Sequence, residues 1–183
     1  FCAERNARPA ERDKYLKKAL ETSPEAETAI KLIKIQWLVE GNKSTEAVSE
    51  LERLLTDDPY QKQALLLAQT LYQRLGLWSK YLKITATLRK RKLIDQSTLE
   101  NSQIRAYSAL LHENANHSDI KMLNNQWLTV PTQYQQAPAL VLIYSKALIK
   151  AAQGQVAAEL IANTLKKHWD EDLVYWFGQA VSD

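Results

Sequence analysis

Proline and glycine recur along this chain at nearly constant intervals. Pro24 and Pro59 stand 35 residues apart, as do Gly41 and Gly76, and each proline precedes its glycine by 17 residues. Farther on, Pro138 precedes Gly154 by 16 residues. Proline suits the first turn of a helix, where its missing N–H would have no intrahelical partner. Glycine suits the bend that follows a helix because it tolerates positive φ. The spacing therefore predicts helical hairpins in which proline opens helix A, glycine turns the chain, and helix B runs back.

The apolar spacings fit those boundaries. Over 25–40, Ala29, Ile33 and Trp37 form one stripe and Leu32, Ile35 and Val39 another, so this helix expects cover on two sides. Residues 44–57 carry a single stripe of Ala47, Val48, Leu51, Leu54 and Leu55. The second hairpin repeats the contrast, with Ala64, Leu67, Ala68, Leu71 and Leu75 crowding one helix and Trp78, Tyr81, Leu82, Thr85 and Leu88 marking one side of the next. In a third hairpin, over 138–152 and 155–168, Tyr144, Ala147, Leu148 and Ala151 oppose Val156, Leu160, Ile161 and Leu165. Four glycines in 183 residues are too few for a turn-rich all-β fold or for nucleotide-binding glycine loops. The chain reads as all-α, and a period of about 34 residues is that of tetratricopeptide repeats, stacked into a right-handed superhelix.

One solenoid fragment is predicted over 1–183, with repeats at 24–59, 59–92 and 138–169. The stretch 93–137 breaks the period and reads as a divergent hairpin with a connector. Ser97 and Glu100 have capping-box spacing for a helix through about His112, and Ser118 and Asp119 start another carrying Ile120, Leu123 and Trp127. Residues 10–22 read as a helix B without its A. Asp170 is placed to cap a last helix over 170–183, with Leu173, Val174, Trp176 and Phe177. Phe1 in place of Met, and a last helix without a partner hairpin, predict that both ends are cut from a longer array. Trp169, Trp176 and Phe177 would then form an exposed apolar patch, whereas Trp37, Trp78 and Trp127 fall on core stripes.

A repeat stack of this kind docks partners on the concave face lined by its A helices. With Pro59 fixing the register, Gln63, Leu66, Thr70, Gln73 and Arg74 face that groove. In the first repeat either Lys31 and Ile35 or Leu32 and Gln36 do so. The paired Lys and Asn that would hold a terminal carboxylate are missing there, which argues against an acidic C-terminal peptide in this groove. Lys80, Lys83, Lys90 and Arg91 share one side of a helix within a run, 80–92, that also holds Arg89 and Lys92 and contains no acid. Such a face complements a helix C-terminus or approaches an anionic lipid surface. The net charge of +3 and the lack of interleaved aromatics speak against nucleic acid. No serine-hydrolase elbow, phosphate loop, His-Glu-x-x-His or paired carboxylates on an apolar face occur, so no catalytic or metal site is assigned and no enzyme is expected. The lone Cys2 founds no internal disulfide.

The string Ala64-Leu65-Leu66-Leu67-Ala68 through Tyr72-Gln73-Arg74-Leu75-Gly76-Leu77-Trp78 resembles the central repeat of HemY proteins. So does Leu165-Lys166-Lys167-His168-Trp169-Asp170-Glu171-Asp172-Leu173-Val174, and Arg12-Asp13-Lys14-Tyr15-Leu16 fits as well. The resemblance implies the repeat region of a bacterial inner-membrane protein whose two N-terminal membrane helices precede this chain, with the repeats expected on the cytoplasmic side. It further implies a link to a late step of haem and tetrapyrrole biosynthesis, without an assigned activity or active-site motif. Protein partners, such as tetrapyrrole enzymes, are expected in the groove. The competing readings are direct haem or porphyrin binding and a general peptide adaptor unrelated to haem. For haem, an axial histidine should stand at the mouth of an apolar pocket, and the candidates are His112, His117 and His168.

Overall fold

The computed structural model describes residues 14, 15, 18, 26–116 and 120–182, and among them there is helix but no strand. The helix expected over 10–22 falls almost wholly outside these residues, as do Cys2, Pro24, His117, Ser118 and Asp119. The chain divides into two compact units, Phe1–Arg74 and Leu75–Asp183. The boundary falls just before Gly76, the bend of the second expected hairpin.

The N-terminal unit contains α1 (Glu27–Glu40), α2 (Ser44–Asp57) and α3 (Lys62–Arg74), with α1 packed on α2 and α2 on α3. Helix α2 buries Ala47, Val48, Leu51 and Leu54 of the predicted stripe and leaves Leu55 half-buried, and Leu51 is fully enclosed. Full burial of one leucine stabilises by roughly 1.5–3 kcal/mol. Helix α1 departs from expectation. Ile30 and Ile35 are its core residues, while Ala29 and Ile33 of the expected first stripe are exposed. On α3, Ala64, Leu65, Ala68, Leu71 and Tyr72 are buried.

Tyr72 lies at 2% exposure. Burial, with a smaller contribution from the charge of Glu52 on α2, pushes its phenol up to about 12. A raised phenol favours the folded state while it stays neutral, and that contribution is lost as pH climbs from the unfolded value near 10 through 12. We expect the N-terminal unit to weaken over that window and Tyr72→Phe to flatten the loss, as thermal melts between pH 8 and 12 would show.

The C-terminal unit contains α4 (Trp78–Lys90), α5 (Gln96–Asn116), α6 (Ile120–Thr129), α7 (Pro138–Lys150), α8 (Gly154–Leu165) and α9 (Glu171–Ser182). Helix α5 packs on α4, α6 and α7, and α8 pairs with α7 and α9, while α7 also touches α9. An element lying between two neighbours must be apolar on two faces. Helix α7 is so, burying Leu140, Val141, Ile143, Tyr144 and Leu148. Helices α4 and α6 bury one face each, through Tyr81, Thr85 and Leu88 and through Leu123 and Trp127, as their spacing predicts. On α8, Ile161 is core but Val156, read as packing inward, is 52% exposed.

Helix starts follow short-range chemistry. Pro138 occupies the first turn of α7. Asp170 Oδ1 accepts the Leu173 N–H at 3.0 Å and so caps α9. The start of α5 is not the capping box read at Ser97. Asp95 Oδ1 accepts the Thr98 N–H at 2.8 Å and the Ser97 hydroxyl at 2.7 Å, and Glu100 accepts from Gln96 instead. Those hydrogen bonds hold the Asp95 carboxyl down to about 2.

Three helices end alike. After α1, Asn42 takes φ 57°, after α4 Lys92 takes 51°, and after α7 Ala152 takes 56°. In each case the next N–H reaches back five residues, from Lys43 to Leu38 O at 2.8 Å, from Leu93 to Leu88 O at 3.1 Å and from Gln153 to Leu148 O at 2.9 Å. This is the Schellman arrangement, which satisfies carbonyls the helix leaves open. Of the three glycines read as bends, only Gly76 has positive φ, at 67°. Gly41 sits at φ −80°. Gly154 is the first residue of α8, buried, where an added Cβ would stand 2.7 Å from the Ala180 carbonyl oxygen of α9.

Candidate functional site

The expected groove positions of the N-terminal unit are accessible, with one exception. Gln63, Thr70 and Arg74 are exposed on α3, and Leu66 and Gln73 are half-buried. Ile35 is 1% exposed and serves the core, so the Leu32–Gln36 alternative is the one that leaves its residues reachable on α1, with Gln36 exposed. Lys31 is drawn into ion pairs with Glu27 at 2.9 Å and Asp57 at 3.8 Å. The hydrogen bond from Lys31 lowers the Glu27 carboxyl and raises the lysine. Gln63 Oε1 accepts from Gln61 Nε2 at 2.8 Å, and the Thr70 hydroxyl donates to Leu66 O at 3.1 Å. Gln73 Nε2 is enclosed without a hydrogen-bond partner.

The basic run on α4 divides. Lys83, Lys90 and Arg91 are exposed and Lys80 is half-buried. Arg89 is exposed too, but its guanidinium turns in toward buried Gln103. Its guanidinium donates to Gln103 Oε1 at 2.7 Å and to the Tyr134 hydroxyl at 3.3 Å. Tyr134 in turn donates to Gln103 Oε1 at 2.9 Å, and Gln103 Nε2 donates to Thr85 Oγ1 at 3.1 Å. This network ties α4, α5 and the 131–137 connector together. A buried glutamine in such a place has no periodic signature, so sequence reasoning passes over it.

The feature that sequence reasoning missed is a cleft of about 320 Å³ within the C-terminal unit, walled by α5, α6 and α7. Ala115, Ile120, Leu123, Ile143 and Ala147 supply its apolar lining. His112, Lys146 and Lys150 also line it, and among the described residues no carboxylate does. Lys146 is held in place, its Nζ lying 5.0 Å from the centroid of the Trp176 ring on α9. Such a cation over an aromatic face gains roughly 0.5–1 kcal/mol at an exposed site.

A common register links this cleft to the expected groove. Gln36, Thr70 and Lys146 each stand six residues before a left-handed bend residue, Asn42, Gly76 or Ala152. Arg74 and Lys150 likewise stand two residues before Gly76 and Ala152. The positions read as groove-facing on α1 and α3 thus correspond to cleft-lining residues on α7.

His112 lines the cleft, but a space of about 320 Å³ lies at the small end of ligand pockets. It is too small to enclose a tetrapyrrole, and His112 stands exposed on its wall. His168 is exposed in the turn after α8, away from these walls. Among the described residues, no group of three or more His, Cys, Asp or Glu is placed to hold a metal ion.

No protein-family model matches the chain. Protein HemY of Escherichia coli (strain K12) is 22% identical over 172 residues, covering 94% of this chain and 43% of that protein. Protein HemY of Shigella flexneri matches over the same 172 residues at 22% identity. The chain spans less than half the length of the curated relatives it matches. A similarity this extended supports a HemY-like relationship.

Proposed function

We propose that this chain is a non-catalytic interaction module, a tetratricopeptide-type stack of hairpins within a HemY-like protein associated with a late step of haem biosynthesis. Its A helices, α1, α3 and α7, present partner-facing side chains, and the partners are proteins of tetrapyrrole synthesis. The observation that carries this reading is the shared register of Gln36, Thr70 and Lys146, because repeated placement of accessible side chains is what a repeat scaffold offers a partner. The extended similarity to Protein HemY supports the pathway assignment. No described helix is long and apolar enough to cross a membrane, and association with the bacterial inner membrane is part of this proposal. Lys83, Lys90 and Arg91 suit the anionic side of such a surface.

Pull-down with the membrane-anchored protein from solubilised membranes is expected to recover tetrapyrrole enzymes. Combining Gln73→Ala, half-buried, with Arg74→Glu, exposed at the end of α3, is expected to cut that recovery at least about tenfold, since a like-charge contact at an interface costs several kcal/mol. Recovery unchanged by the double variant would refute the groove assignment. Recovery of no pathway enzyme at all would refute the haem association.

A further inference from the structure

We propose that the cleft between α5, α6 and α7 is a binding site for a small amphipathic carboxylate, an acyl chain or single aromatic ring bearing one acidic group. The apolar lining contributed by Ile120, Leu123, Ile143 and Ala147 matches the body of such a ligand. Lys146 and Lys150, one helical turn apart on α7, match its head. Among the described residues the charge is one-sided, since two lysines and no carboxylate line the cleft. Lys146 is also pre-positioned by the Trp176 ring, which lowers the entropy a lysine loses on fixing a ligand. The volume of about 320 Å³ sets the size class, with room for a chain of about ten carbons and too little to enclose a large polycycle. All of these residues belong to one compact unit, so the site does not depend on the partner reading of α3.

Decanoate is the probe, titrated calorimetrically into the full chain, with decanol as its uncharged counterpart. Saturable one-to-one binding of decanoate is expected, at least about tenfold tighter than decanol, because a charge-assisted hydrogen bond to a lysine discriminates by about that factor. Lys146→Met and Lys150→Met should each weaken decanoate about tenfold while leaving decanol unchanged. Ala147→Trp should abolish binding of both by filling the cleft. Because Ala147 is half-buried, Ala151→Trp at an exposed lining position repeats the block without touching the core, and circular dichroism confirms that both variants fold. Equal affinity for decanoate and decanol, binding that survives both tryptophans, or no saturation would overturn the proposal. So would a leucine-rich peptide with a free C-terminal carboxylate that binds this cleft tenfold more tightly than decanoate, since the occupant would then be a protein terminus.

Discussion

Truncating Trp127 to alanine is expected to destabilise the C-terminal unit by about 3–5 kcal/mol. The indole is 8% exposed and lies nearly parallel to the Tyr144 ring of α7, with centroids 4.4 Å apart and an interplanar angle of 11°. Its loss removes a large apolar surface and leaves Tyr144 with an open face. That ring is fixed from its other end, where its hydroxyl donates to Asn124 Oδ1 on α6 at 2.9 Å, so it cannot swing far into the vacancy. Trp127→Phe, which keeps a ring over Tyr144, should recover more than half of the loss. Trp169→Ala is the matched control, because Trp169 is 78% exposed and surface changes of this sort stay within about 0.5 kcal/mol. Urea unfolding followed by far-UV circular dichroism separates the cases. A cost at Trp127 no larger than at Trp169 would mean that 93–137 behaves as a loose linker rather than as a hairpin packed into the core.

That hairpin shows where the sequence is legible. Ile120, Leu123 and Trp127 recur at three- and four-residue intervals, and the structure buries Leu123 and Trp127 with Ile120 half-covered. A stripe on one face is readable because one neighbour explains it. Helix α1 is harder, since Ala29, Ile33 and Trp37, spaced by four, and Leu32, Ile35 and Val39, spaced by three and four, both fit the helical period, and periodicity alone cannot say which stripe finds cover. Local hydrogen bonding competes in the same way at α5. Ser97 and Glu100 have the right spacing for a capping box, but the Asp95 carboxylate two residues earlier is the stronger acceptor and takes both the Thr98 N–H and the Ser97 hydroxyl. The cleft is further from reach. It needs α5, α6 and α7 to converge, and the proline register hides its positions. Pro138 is the first residue of α7, whereas Pro59 precedes the first residue of α3 by three. Aligning the repeats on proline therefore slips α7 against α3, while aligning them on the left-handed bends brings Lys146 opposite Thr70.

Gly154 carries the other large effect, and the sequence misreads it in an instructive way. Gly41, Gly76 and Gly154 look equivalent when counted from their prolines, yet alanine should affect them very differently. At Gly154 the new methyl would meet the Ala180 carbonyl oxygen at 2.7 Å, a backbone atom that moves only if α9 moves with it. We expect Gly154→Ala to cost about 1–3 kcal/mol through this overpacking. Since α9 also carries Trp176, the variant should loosen the placement of Lys146 and weaken decanoate binding together with stability. At Gly76 the methyl has room, its nearest neighbour being Trp78 Nε1 at 3.7 Å, but φ of 67° makes alanine pay about 1 kcal/mol in the left-handed region. Gly41 has an ordinary φ of −80°, and its methyl would stand 3.2 Å from the backbone carbonyl of Trp37, a milder crowding than at Gly154, so alanine there should cost the least of the three. Thermal denaturation of the three variants should therefore rank Gly154→Ala below Gly76→Ala, and Gly76→Ala below Gly41→Ala. If all three lose the same stability, the glycines serve as interchangeable bends, and the close approach of α8 to α9 is not what holds Gly154 to glycine.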